Sequence, residues 1–126
     1  MSSAHQVILA VIHRFFESNF KKSIVLSYDT VGGDANGYGN SVIESYDGNI
    51  IIEGGFFYTD YSYGGKYYVL NQNNSHPGTI TVKGGTFVNY DPSMGDDNLG
   101  GNFVADGYMV VSEAHGNDTW YTVVKA

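Results

Sequence analysis

The chain has 126 residues, with 42% hydrophobic and 15% charged residues, 17 glycines, 11 tyrosines and 2 prolines. That length fits one domain, 1–126, with a core of its own, and much glycine and tyrosine with little proline speaks against disorder and against a helical bundle. The absence of cysteine excludes a disulfide framework and a cysteine zinc site, and a net charge of -7 sets the chain against direct contact with nucleic-acid phosphate.

Residues 1–22 read as a helical segment. Val7, Ile8, Val11, Ile12, Phe15 and Phe16 recur at three- and four-residue spacing within Ala4–Phe20, after Ser2 or Ser3 as N-cap. Lys21 and Lys22 suit a helix C-terminus. A helix this apolar is expected to cover a core, with Phe15 and Phe16 buried. The apolar run Val7–Ile12 is closed off by His13, Arg14 and Glu17, well short of the ~20 apolar residues of a membrane span. The start Met-Ser-Ser-Ala-His-Gln has no basic n-region, so neither a secretory signal nor an anchor is read there. This segment is basic (Arg14, Lys21 and Lys22 against Glu17), whereas 23–126 sets three lysines against twelve acids. The acidic part suits either solubility or a basic protein partner.

From residue 23 onward short apolar runs alternate with turn dipeptides. Strands are predicted at Ser23–Tyr28, Ser41–Tyr46, Ile50–Glu53, Phe56–Tyr58, Tyr67–Asn71, Thr79–Lys83, Thr86–Asn89, Phe103–Ala105, Tyr108–Ser112 and Thr119–Lys125. Gly32-Gly33, Asn36-Gly37, Asp47-Gly48, Gly64-Gly65, Pro77-Gly78, Asp106-Gly107 and Gly116-Asn117 separate them as turns. The segment Asn49–Phe57 aligns with Gly78–Phe87, with the pairs Gly54-Gly55 and Gly84-Gly85 thirty residues apart. A unit of roughly 20–30 residues that cannot close its own core predicts a solenoid, with Gly-Gly at tight corners. Ile51 and Val82 are then expected to stack on successive rungs, as are Phe57 and Phe87. The paired Ile50–Glu53 and Thr79–Lys83 strands should run parallel, and the N-terminal helix should cap the open end.

The run Ile80-Thr81-Val82-Lys83-Gly84-Gly85-Thr86-Phe87, then Val88–Pro92, Asn102–Tyr108 and Asp118–Val124, resembles the C-terminal end of right-handed parallel β-helix proteins. Such ends occur in tail-fibre-like proteins of prophages and gut bacteria. The likeness covers about residues 32–126. It implies an all-β, right-handed parallel β-helix, here with an N-terminal amphipathic capping helix. It also implies a non-enzymatic structural or recognition module, tail-fibre-tip-like, binding a glycan or a surface. Its setting would be the cytoplasm of the producing bacterium or a virion. The other reading is a small acidic inhibitor that occupies the basic site of a nucleic-acid-handling protein, as anti-CRISPR proteins do. Association of copies is expected through the N-terminal helix or the solenoid ends.

No catalytic constellation is read. Glu44, Asp47, Glu53 and Asp60 are the candidate carboxylates for glycan cleavage, but Glu53 aligns with Lys83, which fits a solvent-facing position. Asp91, Asp96, Asp97 and Asn98 offer oxygen ligands without the spacing of a calcium loop, so neither metal nor cofactor is expected. His76 and His115 read as exposed turn residues, and His5 and His13 lie too far apart to share a metal. The candidate binding residues are Tyr58, Asp60, Tyr61, Tyr63 and Tyr67, in a polar, tyrosine-rich stretch suited to stacking on a sugar or meeting a protein.

Overall fold

The computed structural model describes residues 10–12, 23–27, 31–33, 42–45, 47–59, 69–95 and 101–126. Eleven strands follow one another: β1 Ala10–Ile12, β2 Ser23–Ser27, β3 Val31–Gly33, β4 Ile43–Ser45, β5 Asn49–Gly54, β6 Phe56–Thr59, β7 Leu70–Gln72, β8 Thr79–Val82, β9 Thr86–Val88, β10 Tyr108–His115 and β11 Asp118–Lys125. They form three sheets, in the orders β1-β4-β7, β2-β5-β8 and β10-β11-β9-β6-β3. Pairing is parallel throughout β1 to β9 and antiparallel for β10 with β11 and for β11 with β9.

This arrangement corrects the expected helix-capped right-handed parallel β-helix. No α-helix occurs among the described residues, where the one helical segment is a 3-10 turn at Pro92–Met94. Ala10–Ile12, inside the expected helix, is a strand paired with β4. Two of these three residues are β-branched, and a neighbouring strand edge satisfies their backbone, which outweighs helical periodicity over so short a run. The sheets are small, none closes among the described residues, and the largest is mixed because the β10–β11 hairpin pairs onto β9. An all-β assembly of small sheets therefore replaces the capped solenoid. Phe15 and Phe16 lie outside the described residues.

The thirty-residue repeat is nevertheless the register of the central ladder. Asn49 to Ile52 pair in parallel with Thr79 to Val82, as the repeat predicted for these two strands. One pairing is corrected. Ile52, not Ile51, lies opposite Val82, and both are fully buried, whereas Ile51 opposes Thr81. A shift of one residue in a strand exchanges its faces, so the two isoleucines have opposite fates. Phe57 and Phe87 do pair and stack, with centroids 5.1 Å apart. Phe103–Ala105 makes only an isolated bridge, Val104 to Val82, while Gly32-Gly33, read as a turn, belongs to β3 and pairs with β6.

The core combines aliphatic and aromatic side chains. Val42, Ile43, Ile50, Ile52, Val69, Leu70 and Val82 are fully buried, with Phe57 and Phe87 beside them. Tyr90 closes this group, and its hydroxyl donates to the Leu70 carbonyl at 3.2 Å. Close approach of successive turns depends on two glycines. Gly78 sits at φ +60°, where a Cβ would strike the Gly48 carbonyl and the Ser45 hydroxyl. At Gly84 a Cβ would strike the Glu53 carbonyl.

Candidate recognition surface

Side chains alternate across a strand, so the ladder register sorts the five-stranded sheet into two faces. Phe57, Phe87 and Val123 are buried on the inner face. The outer face carries Phe56 and Tyr58 on β6, Thr86 and Val88 on β9, Trp120, Thr122 and Val124 on β11, and Met109, Val111, Glu113 and His115 on β10.

Four of these rings form a continuous strip across the sheet. Tyr58 and Phe56 have centroids 6.3 Å apart, and Phe56 meets Trp120 edge-on at 4.9 Å and 69°. Trp120 stacks on His115 at 3.7 Å and 13°. The hairpin makes that last contact. Gly116 adopts φ +63°, and the two-residue loop places His115 opposite Asp118. Trp120 is then the diagonal neighbour of His115 on the same face. His115 Nε2 is covered and lies 3.3 Å from Glu113 Oε1, without the alignment of a hydrogen bond.

Polar groups border the rings. The Thr86 and Thr122 hydroxyls meet at 2.9 Å. Beyond Val88, Asn89 at φ +57° donates through Nδ2 to Asp118 Oδ1 at 3.0 Å, and its Oδ1 accepts from Thr119 N at 2.9 Å. The surface therefore offers contiguous aromatic area, its rings tilted against one another, beside hydroxyl, amide and carboxylate groups. Aromatic faces of this kind receive the C–H faces of sugars, and the polar border can bond their hydroxyls.

Of the residues singled out in the sequence, Tyr58 is half-buried in the strip. Asp60, Tyr61, Tyr63 and Tyr67 lie outside the described residues. Sequence reasoning missed Phe56, Trp120 and His115. The signal was present in His115-Gly-Asn-Asp118, because a two-residue hairpin loop fixes the register that brings His115 beside Trp120.

Among the described residues the candidate carboxylates Glu44, Asp47 and Glu53 are held separately, and Asp60 lies outside them. Glu44 Oε2 accepts from Asn73 Nδ2 at 3.1 Å, Asp47 Oδ2 lies 2.9 Å from His76 Nδ1, and Glu53 is exposed, as is Lys83. His76 lies in a turn with 42% of its side chain exposed, as expected, but is tied to a neighbouring turn; His115 is instead the last residue of β10 and is stacked. Asp91 caps the 3-10 turn, accepting from Ser93 N at 2.9 Å and from Ser93 Oγ at 2.7 Å, while Asp96, Asp97 and Asn98 lie outside the described residues. Among the described residues no three histidine or acidic side chains cluster as metal ligands. No helix among them is long and apolar enough to cross a membrane. No family model matches the chain, and no match is found among curated proteins or solved structures.

Proposed function

We propose that the chain is a non-enzymatic recognition module, of the kind found at tail-fibre tips, that binds a surface glycan through the outer face of its five-stranded sheet. The observation that carries this reading is the unbroken strip Tyr58–Phe56–Trp120–His115, with hydroxyl and amide groups on its border. The acidic-inhibitor reading needs carboxylates free to imitate a row of phosphates. Among the described residues Glu44, Asp47, Asp91 and Asp118 are each engaged in a local hydrogen bond, while Glu53, Asp106 and Glu113 are exposed.

The test is titration with oligosaccharides from bacterial surfaces at low and high salt. Stacking on neutral sugars is little screened, so affinity should hold across that range, whereas capture of a basic protein should weaken steeply. Trp120→Ala should weaken glycan binding about tenfold or more, the range of an aromatic hot spot, with circular dichroism unchanged. Binding that ignores Trp120 would overturn the assignment of this face. Hydrolysis or elimination of the sugar is not expected.

A further inference from the structure

β10 forms one edge of the five-stranded sheet, and β11 is its one partner among the described residues. The hydrogen bonds around β11 fix which way the β10 backbone points. Ala126 N donates to the Gly107 carbonyl at 2.9 Å, while Asn89 N and Gly85 O bond Thr119 and Val123 from the β9 side. Antiparallel ladders alternate bonded and non-bonded pairs. Met109, Val111 and Glu113 therefore direct their N–H and C=O groups to β11. Val110, Ser112 and Ala114 direct theirs outward, and Tyr108 N is occupied by the Ala105 carbonyl at 3.1 Å.

The result is an open row of donors and acceptors on a strand of eight residues. Natural edges are commonly blunted by proline, by lysine or by brevity. This edge has no proline and no lysine, and its acid is Glu113. Along its outer side stand Met109 and Val111, large hydrophobic residues that are 46% and 42% exposed.

We infer that β10 pairs antiparallel with β10 of a second copy, about a two-fold axis at Val111. The register follows from what each alternative places face to face. With the axis at Val111, Val110 and Ser112 exchange complete pairs of hydrogen bonds with Ser112 and Val110 of the second copy. Val111 meets its own counterpart, Met109 stands opposite Glu113 of the second copy and packs diagonally against Val111, and only the outermost pair, Ala114 with Tyr108, asks for the committed Tyr108 N–H. An axis at Ser112 gives up the Val111–Val111 contact and moves the carboxylate opposite Val111, and one at Glu113 sets two carboxylates opposite each other. An axis at Val110 or Met109 moves the demand on the committed Tyr108 N–H to an inner pair, with Ser112 or Val110, and leaves fewer complete pairs of hydrogen bonds. A two-fold axis in a continuous antiparallel sheet is normal to the sheet, so the outer faces of both copies share one side. Two aromatic strips then face the same way, which suits a multivalent surface ligand. The pairing itself is independent of what that ligand is.

The experiment is sedimentation of the full chain over a concentration series at two ionic strengths. A monomer–dimer equilibrium is expected, tighter at high salt because each copy carries a net charge of -7. Ser112→Pro removes an outward N–H that the β11 ladder does not use and should leave a folded monomer. Val111→Lys sets like charges opposite each other on the axis and should weaken the dimer at least about tenfold. Amide exchange gives a readout without substitution: the Val110 and Ser112 N–H groups should be protected in concentrated wild-type protein and lose protection on dilution. A wild-type chain that is monomeric at every concentration and salt overturns the inference. So does a dimer that neither substitution disturbs.

Discussion

The parallel ladders over 42–88 and the hairpin over 108–125 bury their side chains in opposite measure. In the ladders, β4, β5 and β8 alternate buried and more exposed positions, and the buried ones are Ser45 and the apolar Ile43, Ile50, Ile52, Ile80 and Val82. In the hairpin, sixteen paired residues yield one buried hydrophobic residue, Val123. The ladders thus rest on apolar area removed from water, and the hairpin rests on its cross-strand hydrogen bonds and on ring contacts. The comparison teaches where each task is placed. Side chains are buried where parallel strands stack in register, whereas the strand pair added to them keeps nearly all of its side chains partly or fully exposed, and the proposed recognition strip draws on both.

The largest effect that can sharpen this contrast is at Phe57. Its ring is fully buried and stacked on Phe87 at the seam between the β6–β9 ladder and the core. Phe57→Ala should destabilise by about 3–5 kcal/mol, read as a fall in the denaturation midpoint. Trp120→Ala, in the hairpin, should cost far less, because Trp120 is only half-buried. Equal losses at the two positions would remove the distinction between a core ladder and a peripheral hairpin.

Gly84→Ala comes next and tests the corner rather than the core. An added Cβ would meet the Glu53 carbonyl and carbon of the preceding ladder strand, both backbone atoms that cannot rotate aside. The expected cost is more than about 1 kcal/mol, the scale on which glycine substitutions turn from favourable to unfavourable. Gly107→Ala at the entrance of the hairpin is the contrasting case: there φ is +84° but no atom lies within reach of the new methyl group, whereas Gly84 has no positive φ. Measured by urea unfolding, the loss at Gly84 therefore reports the close approach of parallel turns and the loss at Gly107 reports backbone strain.

Much of this was legible before any coordinates. The alternation of apolar residues with turn dipeptides marked most strands, and the repeat of Ile50–Glu53 at Thr79–Lys83 marked their parallel pairing, though Ile51 was matched to Val82 one residue out of register. The failures have physical causes. Ala10–Ile12 has a period compatible with a helix, and its strand state depends on β4, thirty-three residues away along the chain. Gly32 and Gly33 have no side chains to report a strand; their pairing with Tyr58 and Thr59 is a matter of backbone alone. The recognition strip escaped for a similar reason. Tyrosine frequency drew attention to 58–68, whereas the strip depends on Phe56, Trp120 and His115 meeting across three strands. Local composition cannot show that a residue at position 56 touches one at position 120.

The smallest effect is expected at His76, and it tests how the parallel turns are fastened. His76 Nδ1 lies 2.9 Å from Asp47 Oδ2, with 42% and 21% of the two side chains exposed. This pair joins two turns that backbone bonds already join. Asp47 N donates to the His76 carbonyl, Asn73 N to the Ser45 carbonyl, and Thr79 N to the Gly48 carbonyl, all at 2.8–2.9 Å. Asn73 Oδ1 also accepts from the N–H groups of Ser75 and His76, which shapes the turn from within. His76→Ala removes the ring and leaves every one of these bonds possible. A pair so open to water contributes about 0.2–1 kcal/mol, so the midpoint should shift only slightly. Asn73→Ala should cost more than His76→Ala, because it strips the turn of two acceptor bonds and of the contact to Glu44 at once. The reverse ranking would mean that the imidazole–carboxylate pair, rather than the backbone, holds the parallel turns together.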